Sequence, residues 1–235
     1  MQDNNSAKIF SDNWNLYQKV VRLNYMYHAE FTRMVTKVFD ELKQRAIDVL
    51  DIGCGDAGFL KPVLQGQSIN SYTGYDLSAP ALQIASDNLC QLSFDVELKQ
   101  GDMLELIQQE TKTFDIIHAG FAIHHLQDND KIKMYEACFK LLNAGGQMIY
   151  RDIFRKTGFD RDGYLNQYFS IMKNKWTELN AAEYELICNH VSRYDFPSDL
   201  ETTIKQFRQT GFAIANKLEP DNFHIMLQLE KQQNL

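Results

Sequence analysis

The chain has 235 residues, a formal net charge of −7, 44% hydrophobic and 23% charged residues, a composition that suits one α/β domain with a small appendage. The acidic balance has the wrong sign for a surface that neutralises many phosphates, which sets nucleic acid aside as a partner. No apolar run approaches the roughly 20 residues of a membrane helix, residues 1–7 lack the basic-then-apolar layout of a secretory signal, and Cys54, Cys90, Cys138 and Cys188 form no C-x-x-C pair. The expectation is a cytoplasmic protein with reduced thiols and no membrane contact.

Residues 10–44 contain no glycine or proline, and Leu16, Val20, Leu23, Tyr27, Phe31, Met34, Val35 and Val38 recur at three- and four-residue steps, which predicts one or two leading helices. From Ile47 the texture changes to short β-rich runs at 47–52, 72–77, 96–100, 114–119 and 146–153. These alternate with helical patterns, the mark of parallel crossovers. Ser78 with Pro80 in the first turn opens one helix, and Asp128 or Asp130 opens another that stops at residues 143–146. Residues 157–194, rich in Tyr and Phe, read as a helical insertion. Pro197 and Ser198 then start a helix that runs to Gly211, and residues 212–218 and 223–229 flank a Glu-Pro-Asp-Asn turn, which predicts an antiparallel pair at the sheet edge.

The organisation expected is therefore an N-terminal helical cap (1–44), a nucleotide-binding core (45–156), a helical insertion over the site (157–196), and a C-terminal helix with edge strands that complete the core (197–235). The fold class is α/β, a Rossmann-like doubly wound sheet.

The run Val49-Leu50-Asp51-Ile52-Gly53-Cys54-Gly55-Asp56-Ala57-Gly58-Phe59-Leu60 is a buried strand entering a glycine turn and an apolar helix. Such a turn lets a ligand approach the backbone and presents free N–H groups. Gly53, Gly55 and Gly58 also satisfy G-x-G-x-x-G, and Asp76 stands 18 residues beyond Gly58, where a carboxylate can take ribose hydroxyls. A nicotinamide dinucleotide, and with it an NAD(P)-dependent oxidoreductase, is the competing reading. Against it, Asp51 would repel a pyrophosphate at this turn and suit an ammonium or sulfonium instead; at about 4 Å and an effective dielectric near 20 the interaction is roughly 4 kcal/mol.

The ordered series Asp51-Ile-Gly-Cys-Gly, Tyr75-Asp76-Leu77-Ser78, Gly101-Asp102-Met103, Phe114-Asp115-Ile116-Ile117, His124-His125-Leu126 and Leu142-Asn143-Ala144-Gly145-Gly146 resembles the class I S-adenosylmethionine-dependent methyltransferases of small-molecule type, over about residues 45–153. The resemblance implies a seven-stranded sheet with an antiparallel last strand. Its cofactor is S-adenosylmethionine, leaving as S-adenosylhomocysteine. It further implies that Gly53, Cys54 and Gly55 approach the methionine part and that Asp51 acts on its ammonium. Asp76 holds the ribose, Leu77 packs on adenine, Asp102 with Met103 reads the adenine amino edge, and His118, Ala119 and Gly120 offer carbonyls to the ammonium. One departure stands out: the third glycine of D-x-G-x-G-x-G is Ala57 here.

Methyl transfer asks the protein mainly for alignment at about 3 to 3.5 Å. His125, and secondarily His124, fall where a neutral imidazole could take the acceptor's proton. Tyr17, Tyr25 and His28 of the leading helices, Tyr164 and Tyr168 of the insertion, and Arg151 at the end of strand five are the acceptor-side residues; Arg151 could bind a carboxylate or pair with nearby acids. The N/D-P-P-Y/F signature of base and glutamine methylation is missing at residues 119–122, and only Asp152 is placed as in metal-assisted catechol methylation, so no metal is expected. The expected function is O- or N-methylation of a small acceptor by a monomer or homodimer. A cofactor-binding regulatory protein without catalysis is the third alternative.

Overall fold

A computed structural model describes residues 14–42 and 45–231. Helices α1 (Trp14–Arg22) and α2 (His28–Glu41) come first; the outer parts of the expected leading helices, residues 10–13 and 43–44, lie outside the described residues. The core then runs β1 (Ile47–Ile52), a one-turn α3 (Lys61–Leu64), β2 (Ile69–Asp76), α4 (Ala79–Leu89), β3 (Asp95–Gln100), α5 (Met103–Gln109), β4 (Phe114–Gly120), α6 (Asp128–Leu141) and β5 (Leu142–Ile153). Helices α7 (Arg161–Lys175) and α8 (Ala181–Tyr194) follow, and α9 (Leu200–Thr210), β6 (Phe212–Leu218) and β7 (His224–Lys231) complete the chain.

The seven strands stand in the order β3-β2-β1-β4-β5-β7-β6. β1 through β5 pair in parallel, and β7 inserts antiparallel between β5 and β6. This mixed sheet answers the dinucleotide alternative, since the doubly wound dinucleotide fold continues from its fifth strand to a parallel sixth. The central strands read as unbroken apolar runs because both faces are covered. Leu50, Ile117 and Tyr150 pack on one face with α5, α6 and α9, while Val49, Ile116 and Ile149 pack on the other with α2 and α4. Edge strand β3 is exposed, and its Asp95, Glu97 and Lys99 discourage further strand pairing.

Local signals explain most boundaries. Ser78 Oγ accepts from Ala81 N–H at 3.3 Å to cap α4, and Asp199 caps α9 by accepting from Thr202 N–H at 2.9 Å. Three expectations need correction. The apolar stretch after the glycine turn makes one helical turn, not a helix, because the chain turns at Gly66 (φ +84°). β5 begins at Leu142, not Gly146: Leu142 pairs with Phe114, and a register shift between Phe114 and Ile116 absorbs the glycines that read as a stop. Helix α5 was absent from the expected elements; its seven residues are too few to show a period, and Asp102 starts it by accepting from Leu104 and Glu105 N–H at 2.8 and 3.1 Å.

Phe207 of α9 is fully buried, 4.1 Å from Tyr135 and 5.5 Å from Tyr150 between ring centroids. Phe207→Ala should lower the unfolding free energy by about 3 to 5 kcal/mol through lost burial plus cavity; a urea titration showing less than 1 kcal/mol would contradict this packing.

Candidate active site

At the carboxyl ends of the parallel strands lies a cavity of about 890 Å³, where a sheet with helices on both faces opens beside its first strand. One end is built by the turn after β1. Gly53 (φ +67°) has no room for a side chain, since a Cβ would stand 2.5 Å from Ala122 Cβ. Ala57 takes φ +56° although it is not glycine, so the turn keeps the left-handed conformation at that position at a cost of about 1 kcal/mol. Asp76 at the end of β2 accepts from Gly55 N–H and Ser78 N–H, each at 2.8 Å, tying the turn to the neighbouring strand. Its burial raises the carboxyl pKa. Gly53, Cys54, Gly55, Asp76, Leu77, Asp102 and Met103 all line this end. The Cys54 thiol, pushed well up by burial and by Asp51 and Asp76, stays protonated.

The other end lies under α1, α7 and α8, with Tyr17, Tyr168 and Trp176 in its wall. His124 and His125 sit in the 3₁₀ turn Ile123–His125 after β4 and both face the cavity. They differ in charge. His124 Nδ1 lies 2.5 Å from Asp152 Oδ1, and its Nε2 lies 3.4 Å from Asp195 Oδ1. Two buried carboxylates outweigh desolvation and raise its pKa to about 10. The expectation that His124 could take a proton is thus corrected, because at neutral pH it already carries one. His125 shows the opposite: burial and the neighbouring imidazolium lower its pKa to about 4. Its Nδ1 stands 3.0 Å from the Tyr194 carbonyl, so Nδ1 carries the proton and Nε2 is the basic atom. Donor atoms of His124, His125 and Asp195 lie within 4.8 Å of one another; a cation placed there would have to displace the His124 proton.

Asp51 does not line the cavity. It is 3% exposed, and its carboxylate is taken by Tyr72 Oη at 2.8 Å and His118 Nδ1 at 2.6 Å. The expected contact with a ligand ammonium is replaced by an internal relay that continues to Arg151, whose Nε donates to His118 Nε2 at 3.1 Å. Arg151 and Gly120 reach the cavity wall, whereas His118 and Ala119 are buried behind it. His28 is packed among Tyr17, Phe59 and Phe121 with neither ring nitrogen bonded, and burial lowers its pKa to about 3. Tyr25 stacks on Trp176 at 5.0 Å and accepts from Glu178 N–H; Tyr164 stacks on Tyr168 at 5.4 Å. His28, Tyr25 and Tyr164 therefore support the wall and do not line it. Sequence reasoning missed Phe59, Phe121, His190 and Asp195, all of which line the cavity.

Residues 49–146 match the family model described as a methyltransferase domain. The ubiquinone biosynthesis O-methyltransferase of Pseudomonas fluorescens strain Pf0-1 is 28% identical over 107 residues, covering 46% of this chain and 44% of that protein. The chain thus matches less than half the length of this curated relative. Among solved structures, the magnesium protoporphyrin IX methyltransferase from Synechocystis PCC 6803 with bound SAH superposes with a TM-score of 0.65 at 13% identity, covering 97% of this chain and 100% of that one. The [4+2]-cyclase SpnF superposes at 0.60 and 15% identity, covering 84% and 80%; the fold thus also carries a protein named for other chemistry. Over residues 49–146 the chain is thus similar to the methyltransferase domain, and its 3-2-1-4-5-7-6 sheet around the cavity is the Rossmann-like fold of its solved methyltransferase neighbours.

Proposed function

We propose that the chain transfers the methyl group of S-adenosylmethionine to an oxygen of a small-molecule acceptor, with His125 as general base. The observation that carries this reading is the continuity of the cavity from the glycine turn to His125. The residues fit the cofactor in kind. Asp76 faces the cavity with a carboxylate suited to ribose hydroxyls. Asp102 directs Oδ1 to two backbone N–H groups, which leaves Oδ2 to accept from an adenine amino group, and Leu77 with Met103 supplies apolar surface beside it. At the other end of this half, Gly53, Cys54 and Gly55 allow close approach of the methionine part.

When bound, the cofactor supplies an electrophilic methyl carbon on a sulfonium. The chain's part is alignment and proton transfer. Tyr17, Tyr168 and Trp176 cover the acceptor end, exclude water and hold a flat substrate. His125 Nε2 accepts the acceptor's proton as the new C–O bond forms. A base whose conjugate acid has a pKa of about 4 is too weak to strip an ammonium before attack, but it suffices for a hydroxyl, whose proton becomes far more acidic once the oxygen is alkylated. That argument favours oxygen over nitrogen, and the name of the curated relative agrees. His124, fixed as a cation by Asp152 and Asp195, keeps His125 neutral and does not itself exchange protons.

Asp76→Ala should weaken S-adenosylhomocysteine binding by about 1 to 3 kcal/mol, read by calorimetry, through loss of charge-assisted hydrogen bonds; an unchanged dissociation constant places the ribose elsewhere. His125→Ala should lower kcat by about 10² to 10⁴ with the cofactor dissociation constant unaltered. A base is competent above its pKa, so the acid limb of kcat/KM assigned to His125 should lie near pH 4, not near 6.5. A limb at 6.5 in the wild type would contradict the assignment, whereas His124→Asn, which removes the neighbouring cation, should move the limb upward.

A further inference from the structure

Arg151 is 3% exposed and lines the cavity. Its guanidinium carbon lies 3.5 Å from the Phe59 ring centroid and 4.8 Å from that of Phe121, so it is held flat by aromatic faces. Gly120 makes this possible: a Cβ there would stand 2.4 Å from Nη2 and 2.5 Å from the guanidinium carbon. Among the described residues the hydrogen bond of the group is Nε to His118 Nε2, a neutral nitrogen, since burial lowers the His118 pKa and its Nδ1 proton is directed at Asp51. Nη1 has no partner, and among the described residues no carboxylate lies within 4 Å of the guanidinium. Asp51 is separated from it by the whole imidazole, and Asp152 is engaged by His124.

Burial lowers the Arg151 pKa only to about 10, so the group is cationic at neutral pH. A buried charge normally has a directly bonded counter-ion. This one is built in, oriented by a three-residue relay and, among the described residues, left without one, and it borders the cavity.

We propose that Arg151 is a carboxylate-binding residue: the edge of its guanidinium formed by Nη1 and Nη2 takes an anionic carboxylate of a bound ligand. The inference rests on the methyltransferase reading for the identity of the ligands. Two sources can supply the group, the amino-acid end of the cofactor or a carboxylated acceptor. A neighbouring Tyr17 phenol, whose pKa the guanidinium draws down against burial, forms part of the same wall. An ammonium placed against Gly120 would meet this cation, so the sign expected for that strand end from sequence is reversed at the wall itself.

The test titrates wild type and Arg151→Gln with S-adenosylhomocysteine and with its decarboxylated analogue. In parallel, melting temperatures of the free and S-adenosylhomocysteine-saturated protein are followed with paired probes, benzoate against benzamide and propionate against propionamide. If the cofactor supplies the carboxylate, wild type prefers S-adenosylhomocysteine over the decarboxylated analogue by about 10- to 100-fold, and Arg151→Gln binds both alike. If the acceptor supplies it, the variant keeps its affinity for S-adenosylhomocysteine, while carboxylates raise the melting temperature of the saturated wild type above the matching amides and not that of the variant. Equal binding of the two cofactor analogues to wild type, together with no preference for carboxylate over amide in either state, overturns the proposal. Both comparisons are made on wild type, so they decide even if the variant fails to fold. Failure of wild type to bind S-adenosylhomocysteine at all would sink the methyltransferase reading instead, and the carboxylate and amide pairs on the free protein would still decide the role of Arg151.

Discussion

The hydrogen bond from Gly55 N–H to the Asp76 carboxylate joins the ends of two adjacent parallel strands, and the cavity takes its shape from that junction. A glycine turn left to itself has many conformations and loses more entropy on ordering than any other backbone. Here Cys54 N–H also donates to the Tyr75 carbonyl at 2.9 Å, so the turn is held from both sides. Gln18 of α1 then reaches Asp56 at 3.1 Å, which brings the first helix down over the turn. The carboxylate that a ribose would use is therefore also the group that orders the loop around it.

Charge inside the cavity is distributed by the same economy of partners. His124 has one carboxylate on each side and is stable as an imidazolium; its raised pKa means that this stabilisation is complete below pH 6.5 and lost as pH rises through about 10. His125, one residue on, is kept neutral by burial and by that charge. Two adjacent histidines with the same side chain thus hold opposite protonation states, set by Asp152 and Asp195 and not by their own sequence neighbourhood. Arg151 is the contrasting cation, with aromatic faces and a neutral imidazole where His124 has anions.

Features encoded within a few residues were legible before folding. Gly53, Gly55 and Asp76 define the turn and the strand end beside it, and Ser78 with Pro80 marks a helix start. The antiparallel edge pair was readable from its turn residues. What failed was what depended on distant partners. Asp51 looked like a ligand for an ammonium because the residues that take its carboxylate, Tyr72 and His118, are 21 and 67 positions away. Asp195 carried no local signal, yet it fixes the charge of a histidine 71 positions earlier in the chain. Phe59 and Phe121 read as core aromatics, and only the fold lays them against a guanidinium. Tyr25, His28 and Tyr164 had the right location for a cap but the wrong orientation to line it, a distinction that periodicity does not carry.

This division has a consequence for substrate choice. The matched domain ends at residue 146, before Arg151, Tyr168, His190 and Asp195, and begins after Tyr17. Most of the acceptor-facing wall therefore comes from segments outside the matched span, while the turn, Asp76 and Asp102 fall within it. The likeness to a chain named as a cyclase is one of fold, and a shared sheet does not fix the chemistry of the wall opposite it. In this chain that wall combines a neutral imidazole, a flat aromatic lining and one buried guanidinium. On the proposed reading, an acceptor that fits it would bring a proton that a weak base can take and would tolerate or neutralise a fixed positive charge.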